Sequence, residues 1–132
     1  MTDQPAPIKY LEREFDEAGR EFYRRLAAGE LATTRCEACE RTSFPPRARC
    51  PTCGAAQTWV ELPRSGRLYA FTTQEMSLRF RAPAVLALAE VGDVVLPGIA
   101  EAPYEELSIG QEVQVEPRPE PETGLTLLAF VP

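Results

Sequence analysis

Apolar residues near the N-terminus recur every three or four positions, the spacing of a helix with one apolar face. Gly19 lies inside this pattern as a candidate break between two helices, and Gly29 stands where a C-terminal cap belongs. A short helix at the end of a chain has few apolar neighbours of its own, so we expect this face to pack against another chain. The pattern consists of Ile8, Leu11, Phe15, Ala18, Phe22 and Leu26.

The second half of the chain alternates apolar and polar residues in short segments, which is typical of strands. Turn residues separate these segments, and no long helical pattern lies among them. A helical turn ahead of Gly110 suits the short connection before the fourth strand of an OB-fold. We predict a mainly β chain that ends in a five- or six-stranded OB-fold barrel. The predicted strands are 58–62, 67–75, 84–90, 94–101, 112–116 and 125–131.

Length and composition indicate one small folded unit. The chain has 132 residues, of which 44% are apolar, enough for one core. No apolar run approaches the roughly 18 residues of a membrane span, and the N-terminus lacks a signal region. We therefore expect a cytoplasmic protein without membrane contact. The net charge is −6, but residues 33–88 carry +4 and residues 89–132 carry −8, which disfavours nucleic acid as a partner.

All four cysteines lie in two Cys-x-x-Cys pairs, with ten residues between Cys39 and Cys50. Disulfides are disfavoured in a reducing cytosol, and a thioredoxin-type pair needs a βαβ pattern that is missing here. Two such knuckles joined by a hairpin can bring four thiolates to one metal ion, with zinc favoured over iron. Because Cys36, Cys39, Cys50 and Cys53 fill the coordination sphere, we expect a structural site in a zinc ribbon.

Little in the sequence points to catalysis by this chain alone. It has no histidine, and the metal site takes every thiol. No nucleophile elbow, phosphate loop or dinucleotide fingerprint is present. We therefore predict no catalytic residue, and we do not expect a self-sufficient enzyme.

Arginines alternate with aromatic residues between the two knuckles and in the first half of the barrel. Pro45 and Pro46 stiffen the ribbon arm and fix the direction of Arg47. These arginines and aromatic rings can bind a phosphorylated nucleotide by ion pairing and stacking. Alternatively, the arginines are solvated and the aromatic rings belong to the barrel core. Both interpretations stay open at this point. The candidate residues are Phe44, Pro46, Arg47, Trp59, Arg64, Arg67, Arg79 and Phe80.

The order of motifs from about residue 20 onward resembles the zinc-ribbon OB-fold proteins that accompany thiolase-type acyl-CoA enzymes. The resemblance is carried by "LAAGEL", "CEAC", "FPPRARCPTCG", "TWVELPRSGRLYAFTT", "LSIGQEVQVE" and the terminal "LLAFVP". It implies a helical arm (1–33), a rubredoxin-like zinc ribbon (34–57) and an OB-fold barrel (58–132). The first knuckle departs from the pattern, because Glu40 stands where glycine is usual.

The resemblance further implies a function. Family members lack catalytic residues and bind a thiolase-like partner in a hetero-oligomer. We expect a non-catalytic accessory subunit with one structural zinc ion that shares CoA or acyl-CoA with its partner. The candidate arginines and aromatic residues are then CoA contacts. Two alternatives remain: a single-stranded nucleic-acid-binding module, and an iron-containing electron carrier.

Overall fold

The computed structural model describes residues 16–76, 82–121 and 124–132 of the chain. One helix, α1 (Glu17–Ala27), precedes the strands. In these parts of the chain no helix is long and apolar enough to cross a membrane. A 3₁₀ turn lies at Tyr104–Glu106. The strands are β1 (Ala32–Cys36), β2 (Thr42–Ser43), β3 (Gln57–Glu61), β4 (Ser65–Gln74), β5 (Ala84–Val91), β6 (Val94–Ala100), β7 (Glu112–Pro119) and β8 (Thr126–Val131).

The first three strands form a small antiparallel sheet in the order β2-β1-β3, which we call the ribbon sheet. Every residue of β1 has a partner in β3, from Ala32 opposite Glu61 to Cys36 opposite Gln57. The segment predicted as the first strand after the cysteines therefore extends the ribbon sheet and is not part of the barrel. Because β3 crosses the predicted boundary between residues 57 and 58, that domain division stays a prediction.

The remaining five strands close into a barrel in the order β4-β5-β6-β8-β7. All ladders are antiparallel except that between β6 and β8, which consists of Ile99 opposite Ala129 and Ala100 opposite Phe130. The 3₁₀ turn lies between the third and fourth barrel strands, where the sequence predicted a helical turn. The prediction of a mainly β chain with a helix, a zinc ribbon and an OB-fold barrel is confirmed.

Helix α1 begins one residue after Asp16, whose Oδ1 accepts a hydrogen bond of 2.8 Å from the N–H of Gly19. This N-cap places Gly19 in the first turn, so the helix is not broken there. Phe22 and Leu26, one turn apart, are 2% and 1% exposed in the same apolar cluster as the barrel core. The expectation that this face covers another chain is wrong for the described helix, and residues 8–15 lie outside the described part.

The barrel core is closely packed where β6 passes β8. Phe130 is completely buried, and its ring lies against Gly98 of β6. A Cβ atom on Gly98 would lie 2.7 Å from the carbonyl oxygen of Leu128 and 2.8 Å from Cε2 of Phe130. Only glycine therefore allows this approach of the two strands.

Candidate functional site

The four cysteines converge beside the end of β1. Their Sγ atoms all lie within 4.8 Å of one another. Two of the distances between sulfurs of different knuckles are 3.5 Å, between Cys36 and Cys53, and 3.6 Å, between Cys39 and Cys50. Four thiolates about 2.3 Å from a tetrahedral zinc ion are about 3.8 Å apart, so the cluster fits such an ion. The described residues thus place four sulfur ligands for one metal.

Backbone N–H groups in both knuckles point at the buried sulfurs. Cys36 Sγ accepts from Ala38 at 3.3 Å and from Cys39 at 3.4 Å. Cys50 Sγ accepts from Thr52 at 3.4 Å, which repeats the arrangement. Such N–H groups stabilise the thiolate, the form that binds metal.

The metal-free thiols differ in proton affinity. The pKa of Cys50 is lowered to about 6, first by the backbone N–H of Cys53 and then by that of Thr52. The backbone N–H of Arg41 lowers the pKa of Cys39, but desolvation and the neighbouring sulfurs outweigh it and raise that pKa to about 11. One sulfur is therefore ready to bind a cation, whereas another must release a proton when the ion arrives.

The residue after each knuckle has left-handed backbone geometry, with φ of 65° at Glu40 and 78° at Gly54. Glu40 N–H donates to the carbonyl oxygen of Cys36 at 3.0 Å, and Gly54 N–H donates to that of Cys50 at 2.9 Å. The knuckles thus share one conformation despite the departure at Glu40. A residue with a side chain adopts it at a cost of about 1–2 kcal/mol.

Replacing Glu40 with glycine should therefore stabilise the chain. We expect Glu40→Gly to raise the free energy of unfolding by about 0.5–1 kcal/mol, because relief of the left-handed strain exceeds the entropic cost of glycine. Chemical denaturation of the zinc-loaded protein measures this. Glu37→Gly is the matched control: it removes an exposed acid from the same knuckle, where φ is not positive, and should lower stability. Equal losses in both variants would contradict the strain argument.

The arm between the knuckles holds Arg47 by its backbone. The N–H of Arg47 donates to Thr34 Oγ1 at 2.9 Å, and its carbonyl oxygen accepts from Gln57 Nε2 at 2.8 Å. Pro46, just before it, is buried, while Arg47 itself is exposed. The backbone is thus fixed to the ribbon sheet, and the charged residue lies at the surface.

A polar pocket of about 370 Å³ lies between the ribbon and the β5–β6 hairpin. Arg41, Phe44 and Arg47 line it from the ribbon, and Asp93 and Val95 line it from the barrel. The lining residues include two arginines and one aspartate, so the pocket has a net positive charge. This arrangement favours an anionic ligand with an adjoining ring or apolar portion.

A larger apolar groove of about 520 Å³ shares Phe44 with the polar pocket. Helix α1 contributes Tyr23 to its wall, and four barrel strands contribute most of the rest. Among its side chains only those of Tyr23 and Thr72 carry polar atoms. The lining residues are Tyr23, Phe44, Ala70, Phe71, Thr72, Leu86, Ala87, Leu88, Pro97, Gly98, Ile99, Leu125, Leu127 and Leu128.

Two of the predicted contact residues lie together. Phe44 and Arg47 line the polar pocket, whereas the buried Pro46, just before Arg47, does not. Sequence reasoning missed Arg41 and Asp93. Arg41 contributes to the positive charge of the cysteine module, which was the available signal. Asp93 reaches the pocket only because the β5–β6 hairpin folds against the ribbon, and no local pattern indicates that.

Trp59 lies away from both pockets. Its ring is partly buried against the core, and Cζ of Arg25 lies 4.6 Å from the ring centroid. A cation–π contact within the chain therefore occupies this ring. The remaining aromatic and basic candidates, Phe80 and Arg79, fall outside the described residues.

Arg64 and Arg67 also lie outside the polar pocket, and their guanidinium groups bind backbone carbonyl oxygens. The guanidinium of Arg64 donates to the carbonyl oxygen of Gly29, at the end of α1. That of Arg67 donates to the carbonyl oxygen of Gly110 at 3.3 Å. Neither lines the polar pocket, so the structure does not gather the predicted arginines at one place.

Comparison with protein families finds two matches. Residues 24–58 match "ChsH2, rubredoxin-like zinc ribbon domain", and residues 59–118 match "ChsH2, C-terminal OB-fold domain". A search of curated proteins found no match.

Two solved structures are similar to this chain. One, described as "Ltp2-ChsH2(DUF35) aldolase", is 25% identical, with 89% of this chain and 96% of that chain covered and a TM-score of 0.78. A DUF35-family protein of unknown function from Sulfolobus solfataricus is 16% identical, with coverages of 94% and 92% and a TM-score of 0.62, which shows the fold alone. With both family domains present in order, the chain belongs to the ChsH2 family, in which a rubredoxin-like zinc ribbon precedes an OB-fold domain.

Proposed function

We propose that this chain is a non-catalytic accessory subunit of a thiolase- or aldolase-type acyl-CoA enzyme, where it helps to bind acyl-CoA and stabilises the complex. The similarity to the Ltp2-ChsH2(DUF35) aldolase chain carries this proposal, because it extends over nearly all of both chains. The partner, a thiolase-like protein, supplies the catalytic residues. The absence of histidine and the commitment of all four cysteines to a metal site support this division of roles.

One structural zinc ion completes the ribbon in this proposal. The four sulfur atoms suit zinc in number, type and spacing. With four thiolates bound, the ion has no open position, so it contributes folding energy and no chemistry. A reducing cytoplasm, our proposed location, keeps the ligands as thiols.

The polar pocket is our candidate for the phosphates of CoA. Arg41 and Arg47 can form charge-assisted hydrogen bonds to phosphate oxygens, and the ring of Phe44 offers a surface for stacking. Because the backbone of Arg47 is already fixed, only its side chain has to be ordered on binding.

Reversing the charge of Arg47 should weaken CoA binding. We expect Arg47→Glu to reduce affinity for CoA by about tenfold to a hundredfold, because a favourable contact of about 1.5–3 kcal/mol is lost and repulsion is added. Isothermal titration of the zinc-loaded chain, alone and with its partner, measures the change. The difference should shrink at high salt, since screening acts on exposed charges.

Arg35→Glu is the control for that variant. Arg35 lies on β1 in the same module, is exposed, and is outside the polar pocket. The same change of charge there should leave affinity nearly unaltered. Unchanged affinity in Arg47→Glu, or an equal loss in both variants, would remove the polar pocket as the phosphate site.

The whole proposal is tested by capture of the tagged chain from its native host, followed by mass spectrometry of the bound proteins and metal. A thiolase-like protein in fixed ratio to the chain, with one zinc ion, is the expected result. Recovery of nucleic acid instead would favour the single-stranded binding module, and iron would favour the electron carrier.

A further inference from the structure

We propose that Gln57 is a positioning residue for the polar pocket. Together with Thr34 it fixes the backbone of Arg47 and thereby sets where that guanidinium meets an anionic ligand. The inference rests on the proposed function for the identity of the ligand, CoA, and on the geometry of the ribbon for the rest. Gln57 does not line the pocket, and it acts through Arg47.

The ribbon arm leaves the sheet where its own backbone can no longer pair. Ser43, the last residue of β2, lies opposite Thr34 of β1. Pro45 and Pro46 follow in the arm and have no N–H group to donate to a neighbouring strand. The N–H of Arg47 comes next, and it donates to the hydroxyl oxygen of Thr34 at 2.9 Å. A side chain thus replaces the backbone ladder at this point.

Side chains from two strands of the ribbon sheet hold both backbone polar groups of Arg47. Thr34 on β1 accepts from its N–H, and Nε2 of Gln57 on β3 donates to its carbonyl oxygen at 2.8 Å. The same Nε2 lies 3.4 Å from Thr34 Oγ1, which joins the two side chains. We call Thr34 and Gln57 the Arg47 clamp. Thr34 is 3% exposed, so the clamp is anchored in the interior while the residue that it holds is exposed.

The amide of Gln57 holds Arg47 at a cost to the fold. Its oxygen Oε1 is buried and accepts no hydrogen bond from any residue that the structure describes. A flipped amide would place an oxygen atom 2.8 Å from the carbonyl oxygen of Arg47 with no proton between them. Buried polar atoms without a partner are rare, and functional sites are where such exceptions are expected. An apolar side chain would avoid the unpaired atom, so stability alone does not account for glutamine here.

Arg49, two residues further along the arm, is held differently. Its guanidinium donates to the carbonyl oxygen of Gly54 at 3.3 Å, and Arg49 does not line the polar pocket. Within the described part of the chain, by contrast, no hydrogen bond or ion pair holds the guanidinium of Arg47. Arg47 therefore combines a fixed backbone with an available charge, which lowers the ordering cost of binding an anion.

Gln57→Leu tests the clamp on the full zinc-loaded chain, because it removes the donor to Arg47 and the unpaired oxygen together. Isothermal titration with CoA should show affinity lower by about threefold to tenfold, since the loosened arm must then be ordered on binding. The urea midpoint should stay the same or rise, because an unpaired buried oxygen is lost and the exposed carbonyl of Arg47 can bind water. A residue with a purely structural role would show the opposite pattern.

Two measurements show whether Gln57 acts through Arg47. Amide relaxation of Gln57→Leu without ligand should give Arg47 an order parameter below the about 0.85 of rigid backbone, while the amides of β1 keep that value. In an Arg47→Ala background, Gln57→Leu should have no further effect on CoA affinity. Thr58→Val is the matched control, because it removes the hydrogen bond from Thr58 on β3 to the carbonyl oxygen of Arg35 and should change neither readout.

The outcomes separate this inference from the proposed function. If Arg47→Glu weakens CoA binding, then unchanged affinity in Gln57→Leu overturns the positioning role and leaves the accessory role intact. A loss of affinity that persists in the Arg47→Ala background also overturns it. If Arg47→Glu leaves CoA binding unchanged, the phosphate site fails, and the order parameter decides alone. A mobile Arg47 in Gln57→Leu then supports the clamp, with another anion as the ligand of the pocket, and a rigid Arg47 overturns it.

Discussion

Replacing Cys50 with serine should abolish metal binding and unfold the ribbon sheet. Cys50 is 3% exposed, and its thiolate is stabilised by backbone N–H groups of its own knuckle. A hydroxyl group does not ionise at neutral pH and is a poor ligand for zinc. Zinc sites of this type supply about 10–16 kcal/mol of apparent binding energy in isolated zinc-finger peptides, so the loss of one ligand removes most of the folding energy of the ribbon.

Metal analysis of the variant and hydrogen exchange of its backbone amides together test this prediction. Zinc should fall from about one ion per chain to nearly none, and the amides of β1 and β3 should lose protection while those of the barrel keep it. Ala38→Ser is the matched control, because it adds a hydroxyl group at an exposed position of the other knuckle without removing a ligand. Full zinc content in Cys50→Ser would show that the other three cysteines suffice.

Lowering the pH should reduce zinc binding, as the loss of a ligand does. The pKa of the metal-free Cys50 thiol is lowered from 9.0 to about 6, so the stability it contributes is fully present above about pH 9 and is lost as the pH falls to about 6. Protons compete with zinc for all four thiolates, and most strongly for Cys39, whose pKa is raised to about 11, so the retained fraction of zinc should decrease progressively as the pH falls from 7.

The metal centre was predictable because its signal is local. A Cys-x-x-Cys spacing turns two sulfurs toward one point, and two such pairs imply four ligands wherever the rest of the chain lies. The barrel was predictable from alternation with a period of two, which reports one buried face in each strand. The same alternation runs through residues 57–61, and it does not indicate which sheet a strand joins. The pairing of β3 with β1 shows that this strand joins the ribbon sheet.

The two pockets were less accessible from sequence, because they form between elements distant along the chain. Asp93 meets the ribbon arm about fifty residues after Phe44. Arg64 and Arg67 were grouped with Arg47 by composition alone, yet backbone carbonyls hold their guanidinium groups elsewhere. Charge patterning identified a positive region without showing which charges converge. The conformation of Glu40 was likewise hidden, since only the folded knuckle requires a positive φ there.

Replacing Phe22 with alanine should destabilise the chain by about 3–5 kcal/mol, a large share of the stability of a small domain. Phe22 is 2% exposed, and its ring makes edge contacts with those of Tyr23 and Phe44, at centroid distances of 5.1 and 5.2 Å. It joins helix, ribbon and barrel in one apolar cluster. Denaturation by urea measures the loss. Arg24→Ala, on the exposed face of the same helix, should cost less than about 1 kcal/mol.

The same substitution should also affect ligands, because Phe44 separates the polar pocket from the apolar groove and packs on Phe22. Without that support the Phe44 ring gains freedom, and we expect CoA to bind Phe22→Ala more weakly under conditions where it remains folded. Phe22→Leu keeps most of the buried volume and should lose less of both stability and affinity. A loss of stability with unchanged affinity for CoA would show that the helix supports the fold alone, whereas parallel losses would make α1 a positioning element for the polar pocket.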